Sequence, residues 1–148
     1  MKKIASTVLV AMLVLGAGLA LAGDARIPQE LQAEYEQATG TKATFAIWFP
    51  VAPELRTPGW ENILILSNFS TSAMQVQCWF TSLARTQTIK LYELGKYEKR
   101  VFFLQNELGR NDEIYDIFCL ASNLFGAGLL LLEGGNIVTA WPPVFLIY

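Results

Sequence analysis

The sequence contains no histidine and only two cysteines among its 148 residues. Histidine is the usual general base near neutral pH and the commonest transition-metal ligand. Its absence excludes a Ser-His-Asp or Cys-His catalytic site and disfavours a structural zinc site. A phosphate-binding loop is also missing, because Gly126 and Gly128 lack the required spacing and a following helix. We therefore expect a protein that is not an enzyme and holds no cofactor or metal; paired glutamates remain the last-ranked catalytic alternative.

Positive charge opens the chain and is then scarce. Lys2 and Lys3 precede an uncharged apolar run over 4–21 and a small-residue cleavage sequence that ends at Ala22. This order is typical of a secretory signal peptide, so we predict a signal peptide over 1–22, export to the periplasm or the medium, and no membrane span after cleavage. A membrane anchor is the alternative, because the apolar run is nearly long enough to span a bilayer.

The mature chain is mildly acidic. Removing the two leader lysines from the 11 basic residues leaves 9 against 13 acidic ones, a net charge of −4. Phosphate binding needs a basic face, so this balance argues against nucleic acid as a partner. Four cations are close together in the sequence, and we predict that they protect an edge strand from unwanted pairing. They are Lys90, Lys96, Lys99 and Arg100.

The two cysteines, Cys78 and Cys119, belong to a chain predicted to enter an oxidising compartment. Exported cysteine pairs usually form disulfides, so we predict a bond between them. Closing a loop of this length would stabilise the fold by about 4 kcal/mol in the chain-entropy model. The alternative is a pair of buried free thiols, because alternating strand patterns also bury cysteine.

The pattern of apolar residues predicts one domain with a short helix before many strands. Residues 23–42 form a helix or arm, with an apolar stripe that includes Leu31 and Tyr35 and with Gly40 as its end. Residues 43–148 form an all-β, antiparallel, jelly-roll-like β-sandwich of about eight strands. The predicted strand segments are 44–49, 61–82, 88–94, 97–104, 114–122, 129–133, 137–141 and 144–148.

The segment 61–82 has two apolar runs around a small polar turn, which predicts a central β-hairpin. In this register Ile63 and Ile65 face Cys78 and Val76, and all four side chains point into the core. For 88–94, alternation predicts that Ile89 and Leu91 point inward and Lys90 outward. The continuous apolar run over 129–133 fits a strand that is covered on both sides or a contact with a partner.

Four motifs between residues 61 and 136 resemble the sensory rhodopsin transducer family. They are ENILILSN (61–68), MQVQCWF (74–80), KYEKRVFFLQNEL (96–108) and IYDIFCLASNLFGAGLLLLEGGN (114–136). The resemblance implies an oligomeric, jelly-roll-like β-sandwich without a catalytic site. Members of that family act in the cytoplasm, whereas this chain carries an export signal, so the resemblance contributes the fold and a tendency to oligomerise.

The one functional signal is a set of aromatic and amide side chains on the second face of the predicted hairpin and beside it. They are Trp79, Gln75, Gln77, Asn62 and Trp48. Such a mixture suits a subunit interface or a sugar site, and a buried second layer is the third interpretation.

We therefore expect an exported, non-enzymatic β-sandwich that binds protein, in particular a second copy of itself. A carbohydrate-binding module is the first alternative. A small outer-membrane β-barrel is the second, suggested by the 53% hydrophobic composition and the terminal Tyr148, although most runs are shorter than a barrel strand.

Overall fold

The computed structural model describes residues 27–50, 57–82, 87–108 and 114–147. The predicted signal peptide over 1–22 lies outside these residues. The described chain forms an antiparallel β-sandwich, which confirms the predicted fold class. The first sheet has the order β4-β3-β6-β1-β9, with β1 (Phe45–Phe49), β3 (Met74–Ser82), β4 (Gln87–Leu94), β6 (Ile114–Ala121) and β9 (Val144–Ile147). The second sheet has the order β5-β2-β7-β8, with β2 (Trp60–Asn68), β5 (Lys99–Phe103), β7 (Phe125–Glu133) and β8 (Asn136–Trp141).

The main core lies between the two sheets. Because side chains alternate along a strand, each strand contributes every second residue to this layer. From the first sheet come Val76, Cys78, Phe80 and Ile117, and from the second sheet come Leu64, Leu66, Phe125 and Leu129, all buried. Burying a large apolar side chain stabilises the fold by about 1.5–3 kcal/mol, so this layer is the principal source of stability.

The predicted hairpin is wrong. β2 pairs with β5 and β7, while β3 pairs with β4 and β6, so the two runs belong to different sheets. The buried Asn68 makes the crossing: its Nδ2 donates to the carbonyl oxygens of Ser72 and Gly95, both at 2.8 Å, and its Oδ1 accepts from the Ser70 N–H at 2.7 Å. Alternation has the same period in a hairpin and in a connection between sheets, so the pattern alone could not separate them.

The crossing also changes which residues face the core. Leu64 and Leu66 of β2 point between the sheets, and Ile63 and Ile65 therefore lie on the outer face of the second sheet. Val76 and Cys78 do point into the core, as predicted. The prediction for β2 was wrong by one residue because the partner strand was wrong.

The faces of β4 are also the reverse of the prediction. Tyr92 and Leu94 are buried in the core, whereas Ile89 and Leu91 are 47% and 43% exposed. Lys90 shares the face of Tyr92, and its Nζ reaches the Glu107 carboxylate at 3.8 Å. Because β4 is an edge strand, its outward face is only partly covered and can carry apolar residues.

Helix α1 (Gln29–Thr39) forms a third layer over the outer face of the first sheet, and it confirms the predicted N-terminal helix. Pro28 precedes the helix, and Gly40 ends it with a φ of 70°, a conformation that glycine adopts without steric cost. The helix buries Tyr35 against a second core that includes Trp79 and Leu120. A short helix, α2 (Leu104–Leu108), occupies part of a segment predicted as strand end and loop.

Candidate functional site

Four of the five predicted site residues share one face of the first sheet. Gln75, Gln77 and Trp79 alternate along β3, and the register aligns Trp79 with Phe118 of β6 and then with Trp48 of β1. This is the face that α1 covers. Trp79 is fully buried and Gln77 nearly so, while Gln75 and Trp48 are half-buried.

Trp79 is the centre of the contact between helix and sheet. Its Nε1–H donates to the Glu34 carboxylate at 2.8 Å, and its ring meets the Phe118 ring edge-on with centroids 6.5 Å apart. A buried indole N–H needs an acceptor, and the helix supplies it. The environment of Trp79 therefore fits the interpretation of a buried second layer.

Asn62 lies apart from the other four residues. It belongs to β2 in the second sheet and is fully buried. Its backbone N–H donates to Gln105 Oε1 at 3.0 Å, and Gln105 Nε2 donates to the Trp60 carbonyl at 3.1 Å. Gln105 of α2 thus fastens the start of β2, and the structure does not bring Asn62 next to Trp79.

The predicted disulfide between Cys78 and Cys119 is present. The two residues face each other on the neighbouring strands β3 and β6, with Cα atoms 4.1 Å apart. Both side chains are fully buried in the core between the sheets. The bond joins residues 41 positions apart and closes the middle of the first sheet.

The outer face of the second sheet is a surface that the sequence pattern did not identify. Its four strands present apolar side chains in successive cross-strand rows, outward from the core. We use "outer face" below for this set: Ile63, Ile65, Val101, Phe103, Leu130, Leu132, Ile137 and Ala140. Val101, Phe103 and Ile137 are 50%, 39% and 66% exposed, whereas Ile63, in the middle of the face, is only 7% exposed.

One end of the outer face is extended by an aromatic ring. Phe69, in the connection between β2 and β3, lies against Gly126, where an added Cβ would come within 2.8 Å of the ring. Phe69 is itself 57% exposed. Glycine at this position lets the ring approach β7 closely.

The charges of the outer face are confined to its two ends. Lys99 of β5 aligns with Ser67 and Gly126 at one end, and Glu61 of β2 aligns with Leu132 at the other. Both charged residues are exposed. Between these two rows, the described strands of the second sheet present only apolar side chains and Gly128 on this face.

The sequence contained one signal for this surface. The unbroken apolar run over 129–133 predicts a strand covered on both sides or a partner contact, and β7 is the central strand that contributes Leu130 and Leu132 to the outer face. The predicted hairpin put Ile63 and Ile65 in the core, so the other residues of this surface could not be identified from the sequence.

Comparisons with known proteins bear on the fold only. Neither a family model nor a curated protein matches the chain. The crystal structure of Thermotoga maritima 1070 is similar, with a TM-score of 0.51 and 14% sequence identity over 72% of this chain and 94% of that chain. This likeness supports the β-sandwich architecture. Among the described residues, no helix has both the length and the apolar character needed to cross a bilayer.

Proposed function

We propose that this protein is an exported, non-enzymatic β-sandwich that binds protein through the outer face of its second sheet, and that the partner is a second copy. The observation that carries the proposal is the apolar outer face itself, three of whose side chains are between 39% and 66% exposed. A contiguous exposed apolar patch on a small protein commonly marks an interaction surface. Helix α1 covers the corresponding face of the first sheet.

A twisted sheet face is well suited to pack against its own copy. Two antiparallel sheets pack about 10 Å apart with their strands near −30°, and apolar side chains from both inner faces interdigitate. An isologous dimer uses the same patch twice, so it needs a surface that is neutral or self-complementary at its centre. The apolar rows through Ile65 and Ile63 meet this requirement.

The end charges favour one orientation of the second copy. If the two-fold axis lies in the interface and perpendicular to the strands, the Lys99 end of one copy meets the Glu61 end of the other. The opposite choice, an axis parallel to the strands, would bring like charges together. Opposite charges at the rim of an interface guide orientation more than they add affinity. The end charges therefore favour the axis perpendicular to the strands.

The proposed export rests on the leader sequence and is supported by the disulfide. Persistent disulfides are typical of the periplasm and the extracellular space and are rare in the cytosol. Cys78 and Cys119 are both buried, which protects the bond from reductants. The resemblance to the sensory rhodopsin transducer family adds the same expectation of self-association.

The carbohydrate alternative has less support at the aromatic residues of the first sheet. Sugar rings stack on exposed aromatic faces, but the Trp79 ring is fully buried and its N–H is bonded to Glu34. Trp48 is half-buried beside Phe118. A sugar at this face would have to displace the helix that covers it.

The experiment is size-exclusion chromatography with light scattering on the mature chain from Gly23, at several concentrations. We expect a concentration-dependent dimer. The variant Val101→Asp should be monomeric, because it places a charge on the edge strand of the outer face. Ile89→Asp is the matched control: Ile89 is 47% exposed, close to the 50% of Val101, and lies on an edge strand of the other sheet.

Circular dichroism melts of both variants verify that each remains folded. A wild-type chain that stays monomeric at high concentration contradicts the proposal. Equal loss of the dimer in Val101→Asp and Ile89→Asp would place the interface elsewhere.

A further inference from the structure

A cleft of about 570 Å³ opens at one end of the sandwich, away from the apolar rows of the outer face. It lies where the end of α1, the start of β3, the end of β4 and the start of β5 meet, and we call it the end cleft. Its base includes Met74 and Leu94, which face each other across the ends of β3 and β4 on the core side of the first sheet and are only 5% and 1% exposed. Its walls are polar. This combination of an apolar base and a few convergent polar groups is typical of small-molecule sites.

The walls of the end cleft are held in place by partly buried hydrogen bonds. The hydroxyl of the fully buried Tyr35 donates to the Gln75 carbonyl and accepts from the Ser122 N–H, both at 3.0 Å. Gln75 and Ser122 both line the cleft, so one side chain joins two of its walls. A site that is ordered before its ligand arrives loses less entropy on binding.

A second group of bonds fixes the charged side of the cleft. Glu98 accepts from the Gly95 N–H and, at 2.6 Å, from Arg100 Nε. These two bonds hold the pKa of Glu98 below its usual range, and the bond from Gly95 has the larger effect. The carboxylate therefore stays ionised. On the face of β3 and β4 that points away from the core, Gln75 Nε2 donates to Glu93 Oε1 at 3.2 Å, and both residues line the cleft.

These contacts leave both donors and acceptors directed to the cleft. Arg100 uses Nε for Glu98, and among the described residues its two terminal nitrogens have no hydrogen-bond partner. Glu93 uses one carboxylate oxygen for Gln75. The hydroxyls of Thr39 and Thr41 lie 3.1 Å apart on the same rim. Arginine only donates, carboxylates only accept, and hydroxyls do both.

We propose that the end cleft binds a neutral, hydroxyl-rich ring, that is, a monosaccharide or the terminal unit of a glycan. Each sugar hydroxyl donates and accepts, so it can satisfy neighbouring carboxylate and guanidinium groups at once. The two carboxylates, Glu93 and Glu98, outnumber the single guanidinium and disfavour an anionic ligand.

This site is independent of the proposed self-association. The end cleft uses residues of the first sheet, the helix and the start of β5, whereas the dimer contact uses the outward side chains of the second sheet. Failure of one proposal therefore leaves the other untouched, and both are measured on the same mature chain.

The test is a titration of the mature chain with D-glucose, D-galactose, D-mannose and L-arabinose, followed by NMR chemical-shift changes. We expect at least one neutral sugar to bind with a Kd of about 1 mM or tighter, with shifts at the backbone of Gln75 and Glu93. Glucosamine and galacturonate are the cationic and anionic comparisons. Binding by a charged compound alone, or by no sugar at all, overturns the proposal.

Two variants assign the site. Arg100→Met and Glu93→Gln should each weaken binding by about tenfold, because each removes one charged hydrogen-bonding group. Glu36→Gln is the matched control, because Glu36 is exposed on α1 outside the cleft. Arg100 and Glu93 are both exposed, so neither substitution should unfold the chain. If Arg100→Met does disturb the fold, Glu93→Gln still tests the site. Unchanged affinity in both variants overturns the assignment.

Discussion

The hydroxyl of Tyr35 lies 3.0 Å from the carbonyl oxygen of Gln75 and donates a hydrogen bond to it. The Tyr35 hydroxyl oxygen in turn accepts a hydrogen bond from the Ser122 N–H at 3.0 Å. A single buried residue of α1 therefore satisfies one backbone carbonyl of β3 and one backbone N–H just after β6. This contact anchors the helix on the first sheet and shapes one wall of the end cleft.

The variant Tyr35→Phe should lower the free energy of unfolding by about 1–3 kcal/mol. It keeps the ring but leaves the partly buried Gln75 carbonyl and Ser122 N–H without their partner. Urea denaturation of the mature chain measures the loss. Tyr97→Phe is the control, because Tyr97 is 60% exposed and the loss of its hydroxyl should hardly change the free energy of unfolding. Equal stability of Tyr35→Phe and wild type would contradict the role given to this hydroxyl.

Loss of the disulfide should destabilise the fold strongly. The bond closes a loop over a sequence separation of 41, for which the chain-entropy model gives about 4 kcal/mol. We expect Cys78→Ala combined with Cys119→Ala to lower the urea midpoint, and a reductant to lower it for the wild type. The same reductant should leave the double variant unchanged. Wild-type stability that is insensitive to complete reduction would show that packing, not the bond, holds β3 to β6.

A charge exchange tests the orientation of the proposed dimer. Lys99→Glu and Glu61→Lys should each weaken the dimer by about tenfold, since each places like charges at the meeting ends. The double variant should recover most of the wild-type affinity, because the pairs are restored with their signs exchanged. Sedimentation equilibrium at low salt measures the three dissociation constants. Additive losses in the double variant would contradict the antiparallel arrangement while leaving the interface itself possible.

Acid should weaken the contacts of Glu98. Because its pKa is held below the usual range in the folded protein, the folded state binds this proton less tightly than the unfolded chain does. Its contribution is therefore present above the unfolded pKa of about 4.3 and is lost as the pH falls through the folded pKa. Glu98→Gln should flatten the fall of Tm with pH in this range, measured by circular dichroism melts. An unchanged slope would contradict the prediction.

Arg100→Met provides a second measurement of the same effect. It removes the guanidinium that bonds to Glu98 and leaves the bond from Gly95 in place. We therefore expect a smaller flattening than in Glu98→Gln. A larger effect in Arg100→Met would mean that the arginine acts on stability by another route.

Local patterns predicted the elements well. The helix, its end at Gly40 and most strand segments follow from apolar periodicity and from proline and glycine positions, which act over a few residues. The disulfide was also predictable, because the two cysteines of a chain with a predicted export signal have one possible partner each. The faces of β3 were correct, since Val76 and Cys78 are buried on the predicted side.

Strand partners were not predictable in the same way. The prediction for β2 failed because pairing with β3 and crossing to the other sheet need the same alternation and a similar connection. The prediction of which β4 side chains point inward failed for a different reason. As an edge strand, β4 carries Ile89 and Leu91 outward, whereas the pattern alone favours their burial. Of the predicted site residues, four share a face and Asn62 does not, which follows from the same error at β2.

The amino-acid sequence alone determined that this chain forms short strands after one helix, that Cys78 and Cys119 are the one pair available for a disulfide, and that histidine-based catalysis is absent. These properties depend on composition and on spacing within a few residues. The tertiary structure decided that β2 crosses to the second sheet, that Trp79 lies beneath α1, and that Ile63 and Ile65 join an outward apolar surface. Such choices depend on contacts between residues far apart in the chain, and no local pattern encodes them.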